Sequence, residues 1–171
     1  MKKEKYLKAK PIKNGTVIDH IPADLATEIY EILKPKIKKN KKTLILLDNV
    51  ESKSMGLKGI IKLEDAYLDP EDFNILALIS KDITINVIRN WEVKEKYKVK
   101  TPEAFEGLFY CPNPNCITNL RNELGVGEPI KPKYYVIERN NETKVKCYYC
   151  EREIERDDIL TLLKERRYIE K

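Results

Sequence analysis

The 171-residue chain is long enough for one ordinary domain or two small ones, and its 42% apolar and 36% charged content is that of a globular protein rather than a disordered one. No apolar run reaches the ~20 residues of a membrane span. The basic start MKKEKYLKAK has no apolar core behind it, so a secretory signal is not expected and the expected location is the cytoplasm. The net charge of +5 is unevenly spread: residues 1–100 carry 21 Lys+Arg against 15 Asp+Glu, and residues 101–171 carry 12 against 13. The cationic surplus thus lies in the half without cysteines, where it is either a solvated lysine surface or suited to a small anionic ligand.

In chain order, KYLKAKPIK alternates like a strand and runs into Asn14-Gly15, a turn signal. TVIDHI follows as a short apolar stretch. Ala23 to Lys34 reads as a helix with Leu25, Ile29, Ile32 and Leu33 on one face, and Pro35 is expected to stop it. KPKIKKNKK reads as a charged loop, TLILLDNV as a buried strand, and MGLKGIIKLEDAYL as another strand. A second helix is announced by Asp69 as N-cap, Pro70 at the first helical position and acidic Glu71 and Asp72 in the first turn. Leu68 and Phe73 are spaced for a hydrophobic staple. Its apolar face runs through Phe73, Leu76, Ala77 and Ile79. ITINVI and WEVKEKYKV are then two strands separated at Arg89-Asn90. The order strand, helix, strand, strand, helix, strand, strand is that of a ferredoxin-like, split βαβ arrangement with one added strand. The expected fold class is α+β: about five strands with two helices on one face, followed by a small β-rich zinc-ribbon domain and a C-terminal helix. KVKTPEAFEG reads as the linker, giving domains over residues 1–100 and 101–171. The tail from Ile159 to Lys171 carries Asp157 and Asp158 before it and Arg166 and Arg167 near its end, the charge order a helix dipole favours.

Every cysteine lies beyond that linker. Cys111 and Cys116 form C-x4-C, and after 30 residues Cys147 and Cys150 form C-x2-C. Two short knuckles each supplying two sulfurs are what a tetrahedral, four-thiolate zinc requires. Four thiolates saturate the ion, so the metal is expected to be structural and its binding energy to be folding energy. Two disulfides, or an iron site of similar geometry, are the alternatives. Phe109, Ile117, Val136, Ile137 and Val145 are expected to form a small core around the knuckles. Zinc ribbons often bind nucleic acid. With four thiolates and one zinc the second half comes to about −3, the wrong sign for phosphate, so the pairs Tyr134-Tyr135 and Tyr148-Tyr149 are expected in core and interface rather than stacked on bases. The lone His20 beside Asp19 has no nucleophile near it in sequence and no second histidine for a metal, so no catalytic residues are expected.

The stretch NGTVIDHIP, then Met55-Gly56 with Lys58 and IIKLE, then ITINVIRNWEV with Lys96, then CPNPNCI and KCYYCE, resemble in order the signatures of the aspartate carbamoyltransferase regulatory chain. The likeness covers roughly residues 8–155. It implies a non-catalytic subunit of pyrimidine biosynthesis whose first domain binds ATP or CTP, with UTP a further candidate, and whose zinc domain grips the catalytic chain. Regulatory chains would pair as homodimers that link catalytic trimers. By the same resemblance Asp19 would contact the ribose or base, His20 would lie near the phosphates, Lys62 would contact ribose or phosphate, and Lys96 the triphosphate. Ile12 and Val93 would flank the base, with Ile18, Asn86 and Trp91 close by. Pro11 would sit on the first strand, where backbone groups read the base, and Lys58 is a further candidate. The chain departs from the pattern at Trp91, where the family often has tyrosine, and at Pro11, where it often has a small residue. The segment NLRNELGVGEPIKPKYY looks longer than in familiar members, and the final helix has no clear counterpart. Competing readings are a zinc-ribbon nucleic-acid-binding protein, and an enzyme acting on nucleotides through His20.

Overall fold

A computed structural model describes residues 10–37, 43–119, 130–140 and 142–165. The described residues fall into two compact units: those up to Phe73 with Asp82–Val99, and Asn74–Lys81 with those from Lys100 onward. The elements run β1 (Gly15–Pro22), α1 (Ala26–Ile37), β2 (Leu44–Ser52), β3 (Gly56–Glu64), α2 (Pro70–Ile79), β4 (Thr84–Arg89) and β5 (Glu92–Lys98). The five strands form one antiparallel sheet in the order β2-β3-β1-β4-β5. Four of them have the expected split βαβ order, with β5 added beside β4 by a hairpin.

Strand alternation decides which side chains make the core. Ile61, Ile18 and Ile85 are register partners across β3, β1 and β4, and all three are fully buried. α1 packs against β2 and β3 through Ile29, Ile32 and Leu33. Burying a side chain of this size contributes about 1.5–3 kcal/mol.

Several local expectations shift. The opening strand expected before Asn14 does not form over residues 10–14, and residues 5–9 lie outside the described set. The strand is β1 instead. α1 begins at Ala26, not Ala23, because its cap comes from far away: Asp48 on β2 accepts hydrogen bonds from Asp24 N (3.1 Å) and Ala26 N (3.1 Å). A cap supplied from another strand leaves no local signal. Pro35 does not stop α1 but lies inside it. The carbonyl one turn earlier that loses its donor belongs to Glu31, which is exposed, so water can satisfy it. The charged loop expected after α1 falls largely on residues 38–42, outside the described set.

α2 starts where its cap predicts. Asp72 N donates to Asp69 Oδ1 at 3.0 Å and Asp69 N donates to Asp72 Oδ2 at 3.0 Å, a reciprocal capping box with Asp in the usual Glu position. Ile75, Leu76, Ala77, Leu78 and Ile79 are all buried, so the second half of α2 is apolar on every side rather than on one stripe. Asp69→Ala is expected to cost about 1 kcal/mol, measured as a lower urea midpoint, with Asp69→Ser recovering most of that loss. Equal midpoints for Ala and Ser would show that the cap contributes nothing.

The second unit is built on β6 (Ala104–Glu106), β7 (Lys133–Arg139), β8 (Glu142–Cys147) and β9 (Glu153–Ile154), an antiparallel sheet in the order β6-β7-β8-β9, followed by α3 (Arg156–Lys164). Part of the expected linker is therefore a strand, paired to β7 through Phe105 and Tyr134. Its core is aromatic: the Tyr134 ring lies 4.7 Å from Phe109 and 5.1 Å from Phe105, centroid to centroid. Phe109 and Val145 are buried as expected, but Val136 and Ile137 are half-buried and Ile117 is exposed. Tyr134 fills the place assigned to them, since on β7 it faces the metal knuckles with Phe105 and Phe109 around it. Ile159, Leu160 and Leu163 bury one face of α3. The remainder of the expected C-terminal helix, residues 166–171, and most of the longer segment between the knuckles, residues 120–129, lie outside the described set.

Candidate functional site

The first unit carries an open cavity of about 340 Å³ on the sheet face opposite the buried isoleucines. Its floor is one register row. Lys62 on β3 pairs with Val17 on β1, Val17 with Asn86 on β4, and Asn86 with Lys96 on β5. Side chains at directly paired positions share a face. The row therefore sets two lysines at the ends of an apolar and amide floor, with about 14 Å of sheet between them at ~4.8 Å per strand. Ile88 and Val93, also register partners, extend the apolar part, and Trp91, Pro11 and Ile12 form the rim.

A bulge brings Asp19 into place. Ile18 pairs with Ile61 but Ile21 pairs with Gly59, so β1 holds one extra residue there. Ile18 and Ile21 are both fully buried although three apart, which the simple period of two forbids. The extra residue turns Asp19 and His20 together away from the core. His20 takes a left-handed φ of 58°, and its N–H donates to Asp19 Oδ1 at 2.6 Å. Asp19 pairs with Lys58 Nζ at 2.6 Å.

Of the residues singled out from sequence, Pro11, Ile12, Asp19, Lys62, Asn86, Trp91, Val93 and Lys96 line this cavity. Ile18 does not; it belongs to the opposite, core face by strand alternation. Lys58 and His20 border it only through Asp19. Pro11 lies outside any strand. Val17 and Ile88 line the cavity and escaped sequence reading. The signal was there: each is two residues from a chosen one, Asp19 or Asn86, and residues i and i+2 of a strand share a face.

The turn between β4 and β5 is Asn90-Trp91, with φ of 51° and 71°, not Arg89-Asn90. A two-residue hairpin with both central residues left-handed matches strand twist but usually takes Asn-Gly. Two bonds hold the tryptophan in this conformation: Trp91 N donates to Lys13 O at 2.9 Å and Asn90 N to Asn14 Oδ1 at 3.0 Å. Burial pulls the Lys62 ammonium below its usual range, against the raising effect of the Asp19 charge.

His20 does not complete a hydrolytic relay. Its Nδ1 is 3.0 Å from Thr84 Oγ1 and 3.7 Å from Asp19 Oδ2. A relay needs nucleophile and acid on opposite ring nitrogens, whereas both groups here address the same one.

In the second unit Cys111, Cys116, Cys147 and Cys150 bring their sulfurs within 4.8 Å of one another. Cys111 and Cys150 are 3.6 Å apart and Cys116 and Cys147 are 3.9 Å apart. A tetrahedral ion with bonds of about 2.3 Å has sulfur–sulfur edges of about 3.8 Å, so the four fit one ion. A disulfide at about 2.05 Å does not describe them. The knuckles are held from outside the donor set. Thr118 Oγ1 donates to Cys116 Sγ at 3.2 Å, and Asn119 Nδ2 ties the first knuckle by donating to Cys111 O and Asn113 O at 2.6 and 2.8 Å. Burial pushes the Cys111 and Cys147 thiols up. At Cys150 burial acts the same way, but hydrogen bonds from the Arg152 backbone, the Asn113 side chain and neighbouring thiols outweigh it and bring the thiol down to about 7.

Comparison with known proteins matches both halves of the chain to one family. Residues 7–100 match the family described as "Aspartate carbamoyltransferase regulatory chain, allosteric domain", and residues 103–160 match its "metal binding domain". The chain is similar to the aspartate carbamoyltransferase regulatory chain of Pyrococcus horikoshii, at 45% identity over 157 residues, 92% of this chain and 98% of the relative. It is 41% identical over 159 residues to that of Methanothermobacter thermautotrophicus, covering 93% and 96%. Over 158 residues it is 41% identical to that of Methanopyrus kandleri, covering 92% and 96%.

Proposed function

The chain belongs to the family of aspartate carbamoyltransferase regulatory chains, and from that premise we propose that it is a non-catalytic subunit of pyrimidine biosynthesis that binds ATP or CTP in the cavity on β1, β3, β4 and β5. The observation that carries this reading is the register row with Lys62 and Lys96 at its two ends. A nucleoside triphosphate is long enough for one cation to meet its ribose or first phosphate and another its terminal phosphates, while apolar walls hold its base. Lysine supplies point charge without a fixed fork geometry, and Trp91, Ile12 and Val93 offer the walls. His20 and Lys58 act through Asp19, setting its position and charge rather than facing the ligand.

The two domains, residues 1–100 and 101–171, then divide the work. The four cysteines hold one structural zinc, whose saturated coordination leaves no room for chemistry on the metal. The zinc domain docks on the catalytic chain, and the assembly works in the cytoplasm. No helix among the described residues is long and apolar enough to cross a membrane. The two edges of the first sheet differ in a way that supports a homodimer. β5 is exposed throughout and studded with Lys94, Glu95, Lys96 and Lys98, the usual protection of a free edge, while β2 opens with the half-exposed apolar run Leu44-Ile45-Leu46-Leu47. A nucleic-acid partner has weaker support, because the cysteine-bearing half carries no cationic surplus.

Nucleotide would act by binding two states of the assembly with unequal affinity, with a coupling of order 1–3 kcal/mol that is reciprocal between the sites. Calorimetric titration of ATP, CTP and UTP into the full chain, with and without the catalytic chain, tests the proposal. Lys96→Ala is expected to weaken triphosphate binding by about 1.5–3 kcal/mol, roughly ten- to a hundredfold, the contribution of a charge-assisted hydrogen bond. No heat with any triphosphate would end the nucleotide assignment.

A further inference from the structure

Lys62 is half-buried and has an unusual partner for a lysine. Its Nζ donates to the backbone carbonyl of Lys10 at 2.9 Å, a contact spanning 52 residues. Asp19, the nearby carboxylate, is engaged by Lys58 at 2.6 Å. Among the described residues no carboxylate lies within ion-pair distance of Lys62, and the Asp19 charge acts on it only from farther away. The carbonyl it holds belongs to the segment Lys10–Asn14, whose Pro11 and Ile12 line the cavity and whose Ile12 side chain is buried. The far end of this strap is tied to the sheet through three bonds: Asp65 N to Asn14 O (2.9 Å), Asn90 N to Asn14 Oδ1 (3.0 Å) and Trp91 N to Lys13 O (2.9 Å). At its Lys10 end the tie found among the described residues is the contact to Lys62.

We infer that Lys62 is a positioning residue that bridges the bound ligand's phosphate to this strap, so that nucleotide capture and strap closure reinforce each other. This rests on the nucleotide reading above and adds a coupling to it. An ammonium carries three donors in a tetrahedral array. One is spent on the Lys10 carbonyl, leaving two for phosphate oxygens. A neutral carbonyl carries only a partial negative charge, so it repels a phosphate far less than a carboxylate would and leaves the ammonium's net charge in place; the head need not let go of one to take the other. A carboxylate in the carbonyl's place would have cancelled the charge the ligand needs. Once the phosphate fixes the ammonium, the Lys10 end of the strap is fixed with it, and the Pro11-Ile12 wall closes on the base. Reciprocity requires that an open strap lower affinity and that ligand suppress strap opening by the same factor.

Hydrogen exchange on the full chain tests this, read at the Trp91 amide, which donates to the strap's Lys13 carbonyl, and in peptides spanning residues 10–14. ATP at about a hundred times its Kd is expected to slow both at least tenfold, within the hundredfold limit that mass action sets. Lys62→Met keeps the stem and removes the head; at a saturating concentration of ATP it is expected to show less than twofold slowing. Lys96→Met, which also loses a phosphate contact, is expected to keep the wild-type slowing once saturated. Equal slowing in Lys62→Met and wild type overturns the bridge while leaving the nucleotide site standing, since the protection then comes from the ligand's own contact with Trp91. Absence of ATP binding to wild type, followed by calorimetry in the same samples, overturns both.

Discussion

A chelator strong enough to remove the metal is expected to unfold β6–β9 and α3 while the sheet β1–β5 stays folded. The size of the effect follows from comparing two quantities. A single core in a unit of about 70 residues rarely supplies more than about 3–5 kcal/mol, and here it consists largely of Phe105, Phe109 and Tyr134 with a few aliphatic residues from β8, β9 and α3. A four-thiolate zinc contributes about 10–16 kcal/mol of apparent binding energy at neutral pH, all of it folding energy when the site is absent from the unfolded chain. Removing the ion also leaves Cys111, Cys116 and Cys147, all buried, packed together as thiols or repelling thiolates. Hydrogen exchange after chelation should show β7 and β8 amides losing protection, while Trp91, the single tryptophan, keeps the fluorescence of the folded first sheet. Persisting protection in β7 and β8 without metal would sink the prediction. The pH dependence has a definite sign. Burial holds the Cys111 and Cys147 thiols above their ordinary range and Cys150 titrates near 7, so metal uptake displaces protons. The metal-bound state therefore contributes stability that is present at high pH and lost as pH falls, a loss already under way above neutrality because the raised Cys111 and Cys147 thiols take their protons before Cys150 does.

Gly15→Ala is expected to destabilise the first unit by about 3 kcal/mol or more, from backbone strain plus a steric clash. Gly15 opens β1 with φ of 130°, a conformation that L side chains rarely adopt. A Cβ there would sit 2.0 Å from the Leu63 carbonyl oxygen and 2.8 Å from the Asp65 nitrogen, both backbone atoms of the paired β3 region and the turn after it. Neither can swing aside as a side chain would, so the β1–β3 register itself must give. At about 4–8 °C per kcal/mol for a unit of this size, the midpoint should fall by roughly 12 °C or more. Gly56→Ala is the control. Its φ is also positive, at 75°, but a Cβ there meets nothing within 4 Å, so only the left-handed penalty of about 1–2 kcal/mol applies. Equal shifts for the two variants would show that the close approach at Gly15 carries no energy.

The metal centre was readable residue by residue because a knuckle is local: two sulfurs a few residues apart are brought together by one turn of chain, and all four cysteines are used. The element order and the α2 cap were readable for the same reason, since periodicity and Asp69-Pro70-Glu71-Asp72 act within a few residues. Family resemblance, carried by NGTVIDHIP, IIKLE and the knuckles, added the cavity residues that composition alone left as surface lysines. What stayed hidden depended on contacts between distant segments. The cap of α1 sits on β2, the left-handed Trp91 is held by Lys13 and Asn14, and the extra residue at Asp19-His20 exists only as a mismatch between β1 and β3.

By itself, then, the sequence determined a split βαβ unit followed by a four-thiolate centre, because hydrophobic period, capping chemistry and ligand spacing are properties of neighbouring residues. Only the tertiary structure decided that Lys62, Val17, Asn86 and Lys96 form one row and that Ile18 turns its back on it. Strand register chooses the face on which each side chain lies, and Val17 is set against Lys62 and Asn86 by pairings that join residues 45 and 69 positions apart.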